Sequence, residues 1–242
     1  MTKFVSDDGL IFDLGMNNGD DSAFYLERGL RVVALEANPS LCERAAGRFA
    51  DAARTGRLTI INAAIWESSG EQTFYINLEN DHWSSLDIGW ASRNGSACKA
   101  VQVQCLTLPQ LFSSHGVPFT LKIDVEGVDH MVLGQLHGLP LLPRFVSVED
   151  CRFGYEYLES LARCGYDGFK LFDQSTVEGR IDSITGHRFP QGSSGPLGPD
   201  IEGDWLSYDA VVDVYSRTVR DRTGNRLAPR TQWWDIHCTK IS

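Results

Sequence analysis

The segment Leu10-Ile11-Phe12-Asp13-Leu14-Gly15-Met16-Asn17-Asn18-Gly19 constrains this chain more than any other. A short apolar run that empties into a Gly/Asn cluster reads as a buried strand entering a tight loop. A helix follows, with Asp20, Asp21 or Ser22 as its cap and Phe24, Tyr25 and Leu26 as apolar contacts. A second apolar run at 31–35 stops at Glu36-Ala37-Asn38-Pro39, Ser40 caps a helix to about residue 54, and a third strand occupies 58–61. Strand, helix, strand, helix, strand at this spacing predicts a parallel sheet with right-handed crossovers.

The α/β alternation is interrupted and then resumes. Strands at 73–76 and 101–104 flank a long polar, aromatic-bearing loop at 77–100, and such loops in compact domains are functional or mobile. Helices are expected at 108–114, 129–136 and 155–164, and strands at 119–123, 145–148 and 169–172. A Gly/Ser/Pro-rich stretch at 186–204 precedes an amphipathic helix at 207–217 and a last strand at 233–238. That stretch is too glycine-rich to pack by itself and reads as a lid-like cover over a site. With no repeat and no sharp composition shift, residues 1–242 read as a single domain.

The loop after the first strand points to a nucleoside. Glycines there let backbone approach a ligand, and the first strand of such a sheet ends by its switch point. Glu36 comes seventeen residues after Gly19, at the tip of the second strand, where a carboxylate can accept both hydroxyls of a ribose. A dinucleotide fingerprint does not fit, because the later glycine positions counted from Gly15 hold Asn17 and Asp20. Asp13, Asp20 and Asp21 would also crowd a pyrophosphate with like charge. S-adenosylmethionine (SAM) has no phosphate and carries an ammonium and a sulfonium, so an acidic loop suits it. A P-loop is excluded by the lack of Gly-Lys-Ser/Thr.

Charge narrows the partners. The chain holds 22 Lys and Arg against 32 Asp and Glu, a formal charge of −10. We find no basic cluster of the kind nucleic acid or anionic membranes need, so neither is expected as a partner. No apolar run approaches the length of a bilayer span, and the first residues hold no apolar leader, so a cytoplasmic location is expected. The six cysteines show no C-x-x-C spacing and read as reduced and mostly buried.

In combination, residues 11–19 (IFDLGMNNG), 34–39 (ALEANP), 62–65 (NAAI) and 121–127 (LKIDVEG) resemble the FkbM family of SAM-dependent methyltransferases. The similarity runs from about residue 10 to 150. It implies the class I methyltransferase fold, a Rossmann-like three-layer α/β sheet in the order 3-2-1-4-5-7-6 with the last strand antiparallel. It also implies that Asp13, Gly15, Asn17 and Gly19 lie under the methionine part of SAM, that Glu36 takes the ribose, and that Ala37, Asn62 and Ala63 border the adenine. Asp124 would face the methyl donor or the acceptor. The expected acceptor, a hydroxyl on a sugar or secondary metabolite, follows from the resemblance alone. The alternatives are a nucleotide (NAD)-dependent oxidoreductase and a SAM-fold protein that binds without turnover.

Catalysis needs alignment of the acceptor and a route for its proton. Lys122, Asp124 and Glu126 alternate along a strand end and are expected to point to one side. His82, in the long loop, and His237, in the last strand, are the histidines best placed by context to act as a base. Asp124 with Glu149 or Asp150 offers oxygen ligands for Mg²⁺, although no complete metal-ligand set is legible. Trp83, Trp90 and Trp233 can offer aromatic faces to a flat or glycosyl acceptor, whereas Trp205 and Trp234 fit a core role as well.

Overall fold

The computed structural model describes residues 3–6, 9–196 and 198–241. Leu197, within the expected cover, and Met1, Thr2, Asp7, Asp8 and Ser242 lie outside the described residues. In chain order the strands are β1 (Lys3–Phe4), β2 (Leu10–Leu14), β3 (Arg31–Glu36), β4 (Leu58–Asn62), β5 (Ala64–Ile65), β6 (Gly70–Asn77), β7 (Cys98–Leu106), β8 (Thr120–Ile123), β9 (Leu141–Leu142), β10 (Phe145–Glu149), β11 (Gly168–Asp173) and β12 (Trp234–Thr239). The helices are α1 (Asp20–Glu27), α2 (Pro39–Arg48), α3 (Ala50–Arg54), α4 (Ile88–Ala91), α5 (Leu108–His115), α6 (Asp129–Gly134), α7 (Gly154–Cys164) and α8 (Tyr208–Thr218).

The main sheet has the order β4-β3-β2-β8-β10-β12-β11, and β12 alone runs antiparallel to its neighbours. This is the expected 3-2-1-4-5-7-6 arrangement. The chain leaves β2 toward β3 and β4 on one side and later returns to place β8 and β10 on the other. The cleft therefore opens between the C-terminal ends of β2 and β8. Strand alternation sorts the core: Leu10, Phe12 and Leu14 pack with α5, α6, α7 and α8, while Ile11 packs with α1, α2 and α3 on the opposite face.

Several local expectations are corrected. The cap of α1 is Gly19 in the left-handed conformation, because Asp21 and Ser22 bond elsewhere. Asn38, not Ser40, caps α2, and the expected single helix to residue 54 breaks at Phe49. β6 and β7 form an antiparallel hairpin longer than the expected strands, and residues 77–100 form its elaborated tip. All six cysteines are free and five of them are buried.

The 186–204 stretch is anchored on α1 and is not a free cover. Asp21 accepts hydrogen bonds from Ser193 Oγ at 2.7 Å and from the Ser194 amide at 2.9 Å, and Phe189 packs edge-on against Phe24. Among the described residues of this stretch, Gln191 and Gly192 alone line the main cavity.

Candidate active site

Gly15 begins the cleft. A Cβ there would sit 1.8 Å from the Asp124 carbonyl oxygen, so only glycine lets the loop after β2 lie against the tip of β8. Asn17 follows with φ +50°, and its amide, turned back toward β3, donates to Glu36 Oε2 at 2.9 Å. Glu36 Oε1 accepts from the Asn38 amide at 2.7 Å. Burial pushes the Glu36 carboxyl up to about 7 despite these amides.

Behind Glu36, the Asn62 amide donates to the carbonyls of Glu36 at 2.9 Å and Ala37 at 3.2 Å. Ala37, Ala63 and Ala64 then form a shallow apolar wall beside Glu36. These surfaces belong to one cavity of about 970 Å³, within the range of pockets that hold a cofactor-sized ligand. Among its lining residues the floor is acidic, with Asp124, Glu126 and Glu149, and no lysine lines it.

The hairpin tip roofs this floor. Glu126 Oε2 accepts from Trp90 Nε1 at 2.6 Å and from Arg93 at 3.1 Å, and Ser85 Oγ donates to the Glu126 carbonyl at 2.6 Å. Arg93 lies over the rings of Trp83 and Trp90, 4.7 and 4.9 Å from their centroids. Gly127 has φ +89°, and a Cβ on it would meet the Trp90 indole at 2.7 Å. Asp129 fixes this turn by accepting from the amides of Val125 at 2.9 Å and Gly127 at 3.1 Å. The glycine of K-I-D-V-E-G is thus required by the hairpin tip packed on it.

Residues 13–167 match the family model described as the methyltransferase FkbM domain. The chain belongs to the FkbM methyltransferases. SAM is the cofactor of this family. No curated protein matches the chain. Among solved structures, it is similar to an FkbM methyltransferase from Methylobacillus flagellatus KT, with 15% identity and a TM-score of 0.42 over 69% of this chain and 40% of that one. It is also similar to a precorrin-6y C5,15-methyltransferase from Geobacter metallireducens GS-15 (10% identity, TM-score 0.43, 98% and 82% of the two chains). A SAM-dependent methyltransferase from Archaeoglobus fulgidus gives 10% identity and a TM-score of 0.40 over 96% and 86%. Membership rests on the family match, not on these overlays.

The FkbM cleft fits SAM on its own geometry: a buried carboxylate beside small apolar side chains for the adenosine, and carboxylates facing the region where the cationic end would lie. Of the residues expected to hold SAM, Gly15, Asn17, Glu36, Ala37, Ala63 and Asp124 line the cavity. Asn62 does not; its side chain braces the Glu36–Ala37 backbone instead. Gly19 lies beyond the cavity, where the Phe49 ring leaves no room for a Cβ.

Asp13 and Lys122 are also off the cavity. Asp13 and Lys122 each sit one position before the end of their strand and point to the sheet face that α1 covers. Asp13 is fully buried, accepting from Ser22 Oγ at 2.7 Å, and Lys122 Nζ lies 3.3 Å from Asp13, 3.4 Å from Asp21 and 3.4 Å from Asp124. Burial opposes the ammonium charge, but these carboxylates outweigh it and hold Lys122 well above its ordinary range. Lys122 therefore orients Asp124 from beneath and is not positioned to touch an acceptor.

His237 is corrected as well. It borders a small separate cavity under Ser194, with Nε2 unpartnered, and burial together with Lys170 lowers it to about 3. A side chain held neutral inside the opposite sheet face cannot serve the main cavity. His82 does line the cavity, exposed at its mouth, where its Cε1 lies 3.7 Å from the Cβ position of Gly192. Two elaborated segments thus meet over the site. Of the tryptophans, Trp83, Trp90 and Trp233 line the cavity, while Trp205 packs on Phe145 and Trp234 against the core.

Asp124, Glu126 and Glu149 bring carboxylate oxygens within 4.8 Å of one another. Of the two pairs expected at the strand tips, Asp124 with Glu149 is brought together, joined by Glu126, and Asp124 with Asp150 is not. Asp150 is bound by Arg220 at 2.8 Å and by Tyr215, and Glu126 stands in its place. Burial, then Asp124, pushes Glu126 up to about 8, and burial with the same neighbour raises Glu149. Sequence reasoning missed the far wall altogether. Residues 217–230 carry five arginines, and Arg220, Arg226 and Arg230 line the cavity. The cluster was legible as a local excess within an acidic chain.

Proposed function

We propose that this protein is an O-methyltransferase acting on a hydroxyl of a sugar or secondary metabolite. The observation that carries the reading is that Asp124 and Glu149 line one cavity with Glu36 and with the indoles of Trp83 and Trp233. SAM supplies an electrophilic methyl group on a sulfonium. The chain's task is to hold a hydroxyl in line with that methyl and to take its proton. The Trp83 and Trp233 indoles suit a sugar ring or another flat acceptor, and exclude water from it.

For the proton, Glu149 is the better base. Burial and Asp124 raise its carboxyl, and it faces the cavity without a hydrogen-bond donor of its own among the described residues. Asp124, steadied by Lys122, accepts a hydrogen bond from the same hydroxyl. Glu126 is occupied by Trp90 and Arg93 and acts by shaping the roof. His82 stands at the mouth as the route to solvent.

Methyl transfer from labelled SAM to a panel of hydroxylated sugars and metabolites tests this reading. Asp124→Asn and Glu149→Gln are each expected to lower kcat by about 100-fold, a usual scale for acid–base groups, with SAM affinity held within about threefold. Transfer to nitrogen or carbon acceptors only, or wild-type turnover in both variants, refutes it. SAM binding with no turnover on any acceptor favours the binding-only reading. A chelator that abolishes turnover, reversed by Mg²⁺, would assign the three carboxylates to a metal instead of a proton.

A further inference from the structure

The cavity has walls of opposite charge. Its floor carries Glu36, Asp124, Glu126 and Glu149, at or just past the ends of β3, β8 and β10, whereas the segment between α8 and β12 brings Arg220, Arg226 and Arg230 to the cavity. In a chain with a formal charge of −10, three arginines gathered on one open cleft call for a ligand. Asp150 is the carboxylate that meets these arginines, and Arg220 takes it with Nε at 3.1 Å and Nη2 at 2.8 Å. Arg220 Nη1 reaches the Gly224 carbonyl, so this guanidinium is fully engaged.

The other two are not. Arg226 is aimed by bonds from Nε to the Ala228 carbonyl and from Nη2 to the Gln232 carbonyl, which leaves Nη1 3.9 Å from Asp150 and otherwise free to donate. The loop that carries it is stiff: Asp221 accepts from Thr223 and Asn225, and Arg220 pairs across it with Arg226. Arg230 lines the cavity with no hydrogen bond or ion pair among the described residues. Beside them stand the Gln232 amide and the Trp233 indole. Arg226, aimed by two backbone carbonyls and only distantly paired with Asp150, and Arg230, exposed at the cavity rim, offer guanidinium donors that suit an oxyanion.

We infer that the acceptor carries an anionic group, a phosphate or a carboxylate, which Arg226 and Arg230 grip while its hydroxyl lies over Asp124 and Glu149. The inference rests on the O-methyltransferase reading for which side of the cavity faces the acceptor. Segregated charge then sorts the two ligands, the cationic cofactor end to the acidic floor and the anionic acceptor end to the arginines.

Calorimetry with pyrophosphate, citrate and uncharged glucose, on the full chain with and without S-adenosylhomocysteine, tests it. Pyrophosphate or citrate should bind with a Kd of about 1 mM or tighter while glucose does not. Arg230→Ala and Arg226→Gln should each weaken that binding by roughly tenfold, the scale of one charge-assisted hydrogen bond, and leave S-adenosylhomocysteine affinity unchanged. Preference for pyrophosphate identifies a phosphorylated acceptor, and preference for citrate a carboxylated one. Absence of anion binding up to about 10 mM, or equal binding by both variants and wild type, overturns the proposal. Failure to bind S-adenosylhomocysteine strikes at the methyltransferase reading alone, since the anion titration of the ligand-free protein still reads the arginine wall.

Discussion

Glu36 shows how one residue connects burial to ligand binding. It is 7% exposed, and burial brings its carboxyl to about 7 even though two backbone amides point at it. Only the ionised form accepts from both ribose hydroxyls, and a carboxylate ionises above its pKa. SAM affinity should therefore tighten as pH rises from 6 to 8. Glu36→Gln should weaken SAM by about tenfold and flatten that part of the profile, read by calorimetry at each pH. A profile unchanged by the substitution would remove Glu36 from the cofactor site.

At the scale of elements, the decisive contact joins the tip of the β6–β7 hairpin to the turn after β8. Glu126 bonds across 33 residues to Arg93, and Gly127 lies under the Trp90 indole. Gly127→Ala forces both a left-handed alanine and a clash with that ring, so a loss of about 2 kcal/mol is expected. Hydrogen exchange should then show residues 80–95 losing protection while β2 and β3 keep theirs, with acceptor KM rising more than the SAM Kd. Uniform loss of protection would mean that the hairpin tip belongs to the global fold and not to a separable roof.

At the scale of the molecule, buried carboxyls set the response to pH. Glu36 at about 7, Glu126 at about 8 and Asp129 at about 6 all lie above their unfolded values, with burial the leading cause in each case. Between the two values the folded chain holds protons that the unfolded chain has released, so rising pH favours unfolding, each group adding up to about 1.4 kcal/mol per pH unit. The ligand-free Tm is therefore expected to fall by about 5 °C or more from pH 5 to pH 8. SAM, bringing positive charge to the acidic floor, should raise Tm more at pH 8 than at pH 6. A Tm that is flat or rises over that window would refute the assignment.

Much of this architecture was legible in the residues because its determinants are local. Apolar runs of strand length, the Gly/Asn loop, and Glu36 at a strand tip depend on neighbours a few positions away, and they dictated the parallel half-sheet, the class of cofactor and the family motifs. What the tertiary structure alone decided is which side chains share the cavity. Strand alternation turned Asp13, Lys122 and His237 into the sheet faces, while the left-handed turn at Glu126 swung its carboxylate toward Trp90 and Arg93. The pairing of Asp150 with Arg220 spans 70 residues, and it both withdrew a carboxylate from the floor and anchored the arginine wall. Contacts at that separation depend on how the layers pack, a property that no window along the chain contains.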